Sequence, residues 1–159
     1  MRVLLAIDGS PFSDAAITEV ATRPWPTGTL VQVLTVIHSA VPMAIDPGFV
    51  IAAIHVDQVE GQRQLASALV DAAAERIRRG APDVTVTTRV MAGPPKDVIV
   101  DEARSWDAGL IVVGSHGYGR FQRMLLGSVA GAVVANAPCS VQVVRAKHLV
   151  HETDTESAA

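Results

Sequence analysis

The chain has a single cysteine, Cys139, among its 159 residues, and this excludes an internal disulfide. Cys139 follows a proline and precedes an apolar run, a setting that favours a buried structural thiol over a reactive one. A chain of this length can bury a substantial core as one domain. Apolar residues make up 49% of it, so the composition is that of a folded globular protein.

Charge and long apolar runs are also scarce. Charged residues make up 18% of the chain and the net charge is −3, which gives no reason to expect nucleic acid or an anionic membrane as a partner. No apolar run approaches the roughly 20 residues of a membrane span. The strand-like run at residues 2–7 is too short for the apolar region of a signal peptide. We therefore expect a cytoplasmic protein.

Three familiar site motifs are missing as well. The pair Gly117 and Gly119 has Gln122 where the dinucleotide-binding pattern G-x-G-x-x-G needs its third glycine. No G-x-x-x-x-G-K-[ST] sequence occurs. The five histidines show no metal-ligand spacing such as H-x-x-x-H, so we predict no protein-held metal.

What the sequence does contain is a glycine-rich segment at residues 114–128, GSHGYGRFQRMLLGS. A short apolar run at 110–113 precedes it and predicts a buried strand, while the apolar run at 129–136 predicts a short buried helix. Glycine permits positive φ and leaves room for a ligand to approach the backbone. A strand that leads through glycines into a helix N-terminus favours phosphate binding, although a tight turn alone would also use glycines.

Strand-like and helix-like patterns alternate along the rest of the chain. A buried central strand is predicted at 3–7 and further strands at 30–37 and 140–144, and the run at 84–90 alternates like a strand near a sheet edge. Helices are predicted from Ser10 or Ser13 to 22, from 51 or 56 to 79, and at 96–105. The inner face of the second helix is predicted to carry Val59, Leu65, Ala66, Leu69, Val70, Ala73 and Ile77. This order predicts an α/β fold with a parallel sheet and helices on both faces.

The glycines have a specific spacing: Gly114, Gly117, Gly127 and Ser128 form G-x2-G-x9-G-S. This spacing resembles the nucleotide-binding signature of the universal stress protein family, in its ATP-binding branch. The resemblance covers residues 1–145 and implies one domain with an open five-stranded sheet in the order 3-2-1-4-5, similar to adenine nucleotide α hydrolases. Residues 146–159 would be a polar tail. In this order the first and fourth strands are neighbours at a topological switch point, where such sheets bind ligands.

The resemblance implies ATP as ligand, with Mg²⁺ arriving on its phosphates. Asp8 would accept a hydrogen bond from the adenine amine and the Val36 backbone would read the same edge, although Asp8 could instead merely cap the first helix. The glycine loop and the Ser128 hydroxyl would bind phosphate. The predicted cofactor-binding residues are Ala6, Ile7, Asp8, Val36, Val113, Gly114, His116, Gly117, Gly127, Ser128 and Val129.

Other residues near the motif keep two interpretations. Arg120 and Arg123 would add charge to the phosphate site or be solvated surface residues. His116 is given a positioning role, because the sequence places no carboxylate to orient it for catalysis. The chain departs from the usual family pattern at Thr35, where a histidine is common, and at Gly109, where an acidic residue is common. Neither is expected to touch the nucleotide.

Three functions fit this sequence. The first is an ATP-binding regulator or sensor of the stress response, the second a slow ATP-cleaving or nucleotidyl-transferring enzyme, and the third a family member that acts by protein association without nucleotide. No catalytic residue is assigned. The segment 38–50 would be a lid or would pack on the core. The strand at 140–144 would be an apolar sheet edge, which predicts a homodimer through this strand.

Overall fold

A computed structural model describes residues 1–38, 51–117 and 126–146, with side chains of the second helix from residue 60 onward. The predicted segment 38–50, apart from His38, and the predicted tail, apart from its first residue, lie outside this part of the chain. The described elements are the strands β1 (Arg2–Ala6), β2 (Leu30–Ile37), β3 (Thr85–Ala92), β4 (Leu110–Gly114) and β5 (Ser140–Val144), and the helices α1 (Pro11–Thr22), α2 (Ile51–Gly80), α3 (Pro95–Ser105) and α4 (Ser128–Asn136).

The five strands form one parallel sheet in the order β3-β2-β1-β4-β5, which confirms the predicted fold. β1 lies at the centre, and its residues Val3, Leu4 and Leu5 are buried because helices cover both faces of the sheet. Side chains of α1 and α2 form one core with one face. Side chains of α3 and α4 form a second core with the other face. β3 and β5 are the two edges.

Helix α1 begins where the sequence offered two alternatives, and the structure selects Ser10. The Ser10 hydroxyl accepts a hydrogen bond from the Ser13 amide at 3.2 Å, and Pro11 occupies the first helical position. A serine N-cap followed by proline is a favoured helix start, because the hydroxyl pairs an amide that the helix leaves unpaired. This fixes the direction in which the chain leaves β1.

Helix α3 is attached to the sheet by a buried polar cluster that the sequence did not indicate. The Glu102 side chain is 2% exposed and accepts hydrogen bonds from Gln32 of β2 at 2.5 Å and from Arg89 of β3 at 2.7 Å. A buried carboxylate needs such partners. The cluster holds α3 over β2 and β3, and thereby positions the start of α3 beside the carboxyl ends of the strands.

One expectation about the burial of α2 is wrong. Leu65, predicted on the inner face of α2, is 74% exposed, and the fully buried residues of this helix lie between Val70 and Ile77. The helix has 30 residues and therefore extends about 45 Å, whereas the eight residues of β3 span about 27 Å, so one end passes beyond the sheet. Val59 lies outside the described side chains.

Helix α4, predicted to be buried, buries only Ala130 and Val133, and Val134 is 48% exposed. It covers the sheet near the β5 edge with one face only. Within the described residues, no helix is both long and apolar enough to cross a membrane.

Candidate functional site

The carboxyl ends of β1 and β4 lie side by side, because Ala6 pairs with Val113 in the sheet register. A cavity of about 380 Å³ opens at this point, a size typical of small-molecule sites. All eleven residues predicted from the sequence line it, so the structure brings them together. Six lining residues were not predicted: Ser13, Leu34, Pro95, Ile99, Leu126 and Ala130. Leu34, Ile99 and Ala130 are buried apolar residues, and in the sequence they do not differ from other core residues.

The three motif glycines are required for close packing. A Cβ atom added at Gly114 would lie 2.7–2.9 Å from backbone atoms of Phe12 and Ser13, and one at Gly117 would lie 2.6 Å from Asp8 Oδ2. At Gly127 it would lie 3.1 Å from the His116 Cα. Positive φ, which glycine also permits, is not used at these three positions, since among the described glycines only Gly9, Gly28 and Gly93 have it. Glycine therefore allows close contact with backbone atoms at Gly114 and Gly127, and with the Asp8 side chain at Gly117.

Replacing Gly114 by alanine is expected to destabilise the protein by about 1–3 kcal/mol, because the new methyl group meets the backbone of α1 rather than a movable side chain. Urea unfolding monitored by circular dichroism measures this. Gly61→Ala is the matched control, since nothing lies within 4 Å of a Cβ added there. In mid-helix this change should stabilise by up to about 1 kcal/mol. Equal stability of Gly114→Ala and wild type would contradict the packing.

One end of the cavity is formed by the start of α4. The Gly127 amide donates to the Ser115 carbonyl at 2.8 Å, and Gly127 is the N-cap residue of the helix. The first-turn residues Ser128, Val129 and Ala130 line the cavity. First-turn amides have no intrahelical acceptor and carry the positive end of the helix dipole. This end of the cavity is suited to an anion.

The other end of the cavity is apolar, with Leu34 and Val36 of β2 and Ile99 of α3 along its wall. The Ile7 amide donates to the Leu34 carbonyl at 2.9 Å, and the Gly93 amide donates to the Ile37 carbonyl at 3.0 Å. Since peptide groups alternate in direction along a strand, the Val36 amide and carbonyl point to the β1 side.

The last pair in the register of β1 and β2 is Ala6 with Leu34, so the ladder ends before it reaches Val36. A polar backbone edge, that of Val36, thus borders an apolar slot.

Asp8 follows β1 and is exposed at the mouth of the cavity. Its Oδ1 accepts a hydrogen bond from the Ser10 amide at 3.0 Å, whereas Ser10 itself caps α1. Its Oδ2 faces Gly117, as the 2.6 Å contact of an added Cβ shows. Asp8 is therefore not the cap of α1. One of its carboxylate oxygens accepts a hydrogen bond in the turn before the helix, and the other faces the glycine loop.

His116 lies on the cavity wall and contacts Ser115 and Phe12. Its Nδ1 is 3.2 Å from the Ser115 hydroxyl, and its ring centroid is 5.1 Å from that of Phe12 in α1. These contacts fit a positioning role, which stays a prediction. Phe12 was not anticipated, because its place beside the loop depends on how α1 packs against β4.

Three other residues considered in the sequence analysis are not among the cavity residues that the structure describes. Arg120 and Arg123 lie outside the described residues. Cys139 is half-buried rather than fully buried; burial raises the pKa of its thiol, and a hydrogen bond with the Ile111 backbone lowers it to a smaller extent. Across the described ranges 1–38, 51–117 and 126–146, no three His, Cys, Asp or Glu side chains cluster in a way that would hold a metal ion.

Comparison with known proteins assigns the chain to a family. The family model described as "Universal stress protein family" matches residues 1–145. The chain belongs to the universal stress protein family. A curated universal stress protein of Mycolicibacterium smegmatis is 36% identical over 145 residues, which cover 91% of this chain and 46% of that protein. This universal stress protein therefore spans about half the length of that relative.

Solved structures of universal stress proteins share the fold. Universal stress protein UspA from Lactobacillus plantarum is 25% identical, with a TM-score of 0.73 and coverage of 91% of this chain and 97% of that one. A family protein from Arabidopsis thaliana, solved with AMP bound, is 19% identical, with a TM-score of 0.61 and coverage of 97% of each chain. The second likeness is one of fold alone.

Proposed function

We propose that this universal stress protein binds ATP in the cavity between the ends of β1 and β4 and acts as a nucleotide-dependent regulator or sensor in the stress response. The observation that carries the proposal is one cavity with an apolar slot at one end and the first turn of α4 at the other. A nucleotide needs both, since its base is flat and apolar and its phosphates are anionic. The Arabidopsis relative with AMP bound supports an adenine nucleotide as the ligand.

The adenine ring enters the slot beside Ala6, Val113 and Ile99, and its polar edge meets the backbone of Val36. The Val36 amide donates to the ring nitrogen N1. The amine on the ring donates to an acceptor, which the Asp8 carboxylate supplies. Because these groups would be unpaired with the wrong base, they would select adenine over other purines.

The phosphates lie against the Gly117 backbone, the Ser128 hydroxyl and the first-turn amides of α4. Asp8 and His116 are the only ionisable side chains among the cavity residues that the structure describes, so backbone amides carry most of the binding there. A divalent ion such as Mg²⁺ would be held through the phosphates and its own waters, as is usual for this ion.

A regulator is favoured over an enzyme by the residues present. Within the described lining, Asp8 is the only carboxylate, so the cavity offers no acid pair, and its Oδ1 is already occupied by the Ser10 amide. Slow ATP cleavage is the second candidate, and His116, which lines the cavity, favours it. Action by protein association without nucleotide is the third, and the intact glycine packing of the loop speaks against it.

Calorimetric titration with ATP and GTP tests the proposal. We expect GTP to bind about 5- to 150-fold more weakly, since guanine places a carbonyl where Asp8 needs an amine and the unpaired acceptor costs about 1–3 kcal/mol. Asp8→Asn is the matched variant: its amide oxygen keeps the Ser10 hydrogen bond, while its NH₂ group suits guanine. The ratio of ATP to GTP affinity should fall in this variant. Equal affinity of the wild type for both nucleotides would remove Asp8 from the role.

The β5 edge supports a further part of the proposal, a homodimer through Ser140–Val144. The Ser115 amide donates to the Val144 carbonyl at 2.8 Å, so the backbone groups of Val144 and Gln142 face β4. Those of Val141 and Val143 face outward. An edge with outward amides and carbonyls and no interrupting proline is a template for pairing. Two copies would pair these strands antiparallel about a two-fold axis.

A further inference from the structure

We propose that Thr35 is a positioning residue for base recognition: it keeps the Val36 amide available to the cavity by pairing the Ile7 carbonyl itself. The proposal rests on the proposed function, because the amide is assigned to the adenine ring. Its observation is a buried hydrogen bond. The Thr35 side chain donates from Oγ1 to the Ile7 carbonyl at 2.8 Å, and Thr35 is only 6% exposed.

The register of β1 and β2 shows why this bond matters. The Ile7 amide donates to the Leu34 carbonyl at 2.9 Å, and in a regular parallel ladder the next bond would run from the Val36 amide to the Ile7 carbonyl. In the structure the Thr35 hydroxyl donates to that carbonyl instead. In the described range 1–38, which contains both residues, no backbone hydrogen bond joins the Val36 amide to the Ile7 carbonyl.

Thr35 acts on the site through the backbone. Leu34 and Val36 line the cavity, and side chains alternate across a strand, so the Thr35 side chain projects from the opposite face of the sheet. That face belongs to the core of α1 and α2, with Val31 and Val33 from the same strand. A substitution at Thr35 therefore leaves the cavity wall unchanged and alters only the partner of the Ile7 carbonyl.

The consequence for recognition follows from the chemistry of the two purines. Nitrogen N1 of adenine accepts a hydrogen bond, whereas N1 of guanine carries a hydrogen and donates. An amide donor that faces the slot therefore favours adenine and opposes guanine. If the Ile7 carbonyl lost its hydroxyl partner, the Val36 amide would turn to it, since a buried carbonyl without a donor is costly. The donor would then be lost to the base.

The experiment compares Thr35→Val, which keeps the shape and removes the hydroxyl, with Thr35→Ser, which keeps the hydroxyl. The probes are ATP and its N1-deaza analogue, in which a C–H group replaces N1. Loss of one hydrogen bond is worth about 0.5–1.5 kcal/mol, so Thr35→Val should weaken ATP binding by about 3- to 10-fold. Binding of the deaza analogue should change by less than about twofold, because it lacks the acceptor. Thr35→Ser should bind ATP like the wild type.

Equal weakening of both probes by Thr35→Val would overturn the inference, since it would show a general structural effect, and so would unchanged ATP binding. A wild type that binds neither nucleotide would overturn the proposed function and this inference with it. Hydrogen exchange in the wild type needs no variant: the Val36 amide should exchange rapidly without nucleotide and be protected by ATP but not by the deaza analogue. Protection in the nucleotide-free protein would contradict the proposal.

Discussion

Replacing Gly117 by valine is expected to weaken ATP binding by about tenfold to a hundredfold, since the loss of a hydrogen bond to a charged group costs about 1.5–3 kcal/mol. A Cβ at this position would lie 2.6 Å from Asp8 Oδ2, so a branched side chain both displaces the carboxylate and occupies the surface assigned to phosphate. The atom displaced is the end of a mobile side chain rather than backbone. The fold should therefore survive, with a melting temperature within a few degrees of the wild type.

Gly131→Ala is the matched control for this variant. It also replaces a glycine close to the site, in α4, but nothing lies within 4 Å of the added Cβ. It should bind ATP like the wild type and be slightly more stable, because alanine is a better helix former than glycine. Calorimetric titration and thermal melting of both variants measure the two effects. Normal ATP binding by Gly117→Val with an unchanged circular dichroism spectrum would show that the phosphates lie elsewhere.

Replacing Val143 by proline is expected to convert a dimer into monomers. The Val143 amide faces away from β4, so proline removes a donor that only a second copy would use, and it leaves the bonds between β4 and β5 in place. Val143→Ala is the control, because it also shortens the side chain but keeps the amide, and it should remain dimeric. Light scattering at tens of micromolar protein measures the mass of each species.

A monomeric wild type in this measurement would end the dimer proposal, whatever the nucleotide titrations show. If Val143→Pro lost its β5 strand altogether, Val141→Pro offers a second test, since its amide also faces outward by the same alternation. A dimer that persisted in both folded variants would place the interface on another surface.

The sequence predicted most element bounds because these depend on local features, whereas the order of the strands was implied by the resemblance to the universal stress protein family. The β2 bounds were predicted to the residue, since an apolar run rich in branched residues lies between turn residues there. The glycine motif also identified the cavity, because its four residues all belong to one loop between two elements. The predicted site residues on β1 and β2, such as Asp8 and Val36, were implied by the family resemblance instead, and all eleven predicted residues line the cavity.

The remaining features depend on distant residues and have no local signal. The burial of Glu102 in α3 depends on Gln32 and Arg89, which come from β2 and β3. The exposure of Leu65 depends on where the sheet ends, and the spacing of apolar residues along α2 contains no information about that position. The sequence gives Thr35 no signal beyond that of a strand residue, because its contact with the Ile7 carbonyl depends on the register of β1 and β2.

The role of the motif glycines shows the same limit. The sequence indicated that these positions need glycine but suggested two reasons, positive φ and close approach. Only the packing of Gly114 against Phe12 and of Gly117 against Asp8 distinguishes them. The reason for each glycine decides which substitutions are tolerated. A position without room for a Cβ atom disfavours every side chain, whereas a position of positive φ still accepts asparagine.

The central claim is that an adenine nucleotide occupies the cavity at the ends of β1 and β4, and a two-dimensional NMR titration of the nucleotide-free protein with ATP tests it most directly. The account predicts saturable shifts of the backbone amides of Val36, Gly117, Gly127 and Ser128, at one ATP per chain. These amides come from three separate segments, so a common binding curve would locate the ligand. No shifts at millimolar ATP, or shifts confined to the exposed face of α2, would contradict the account.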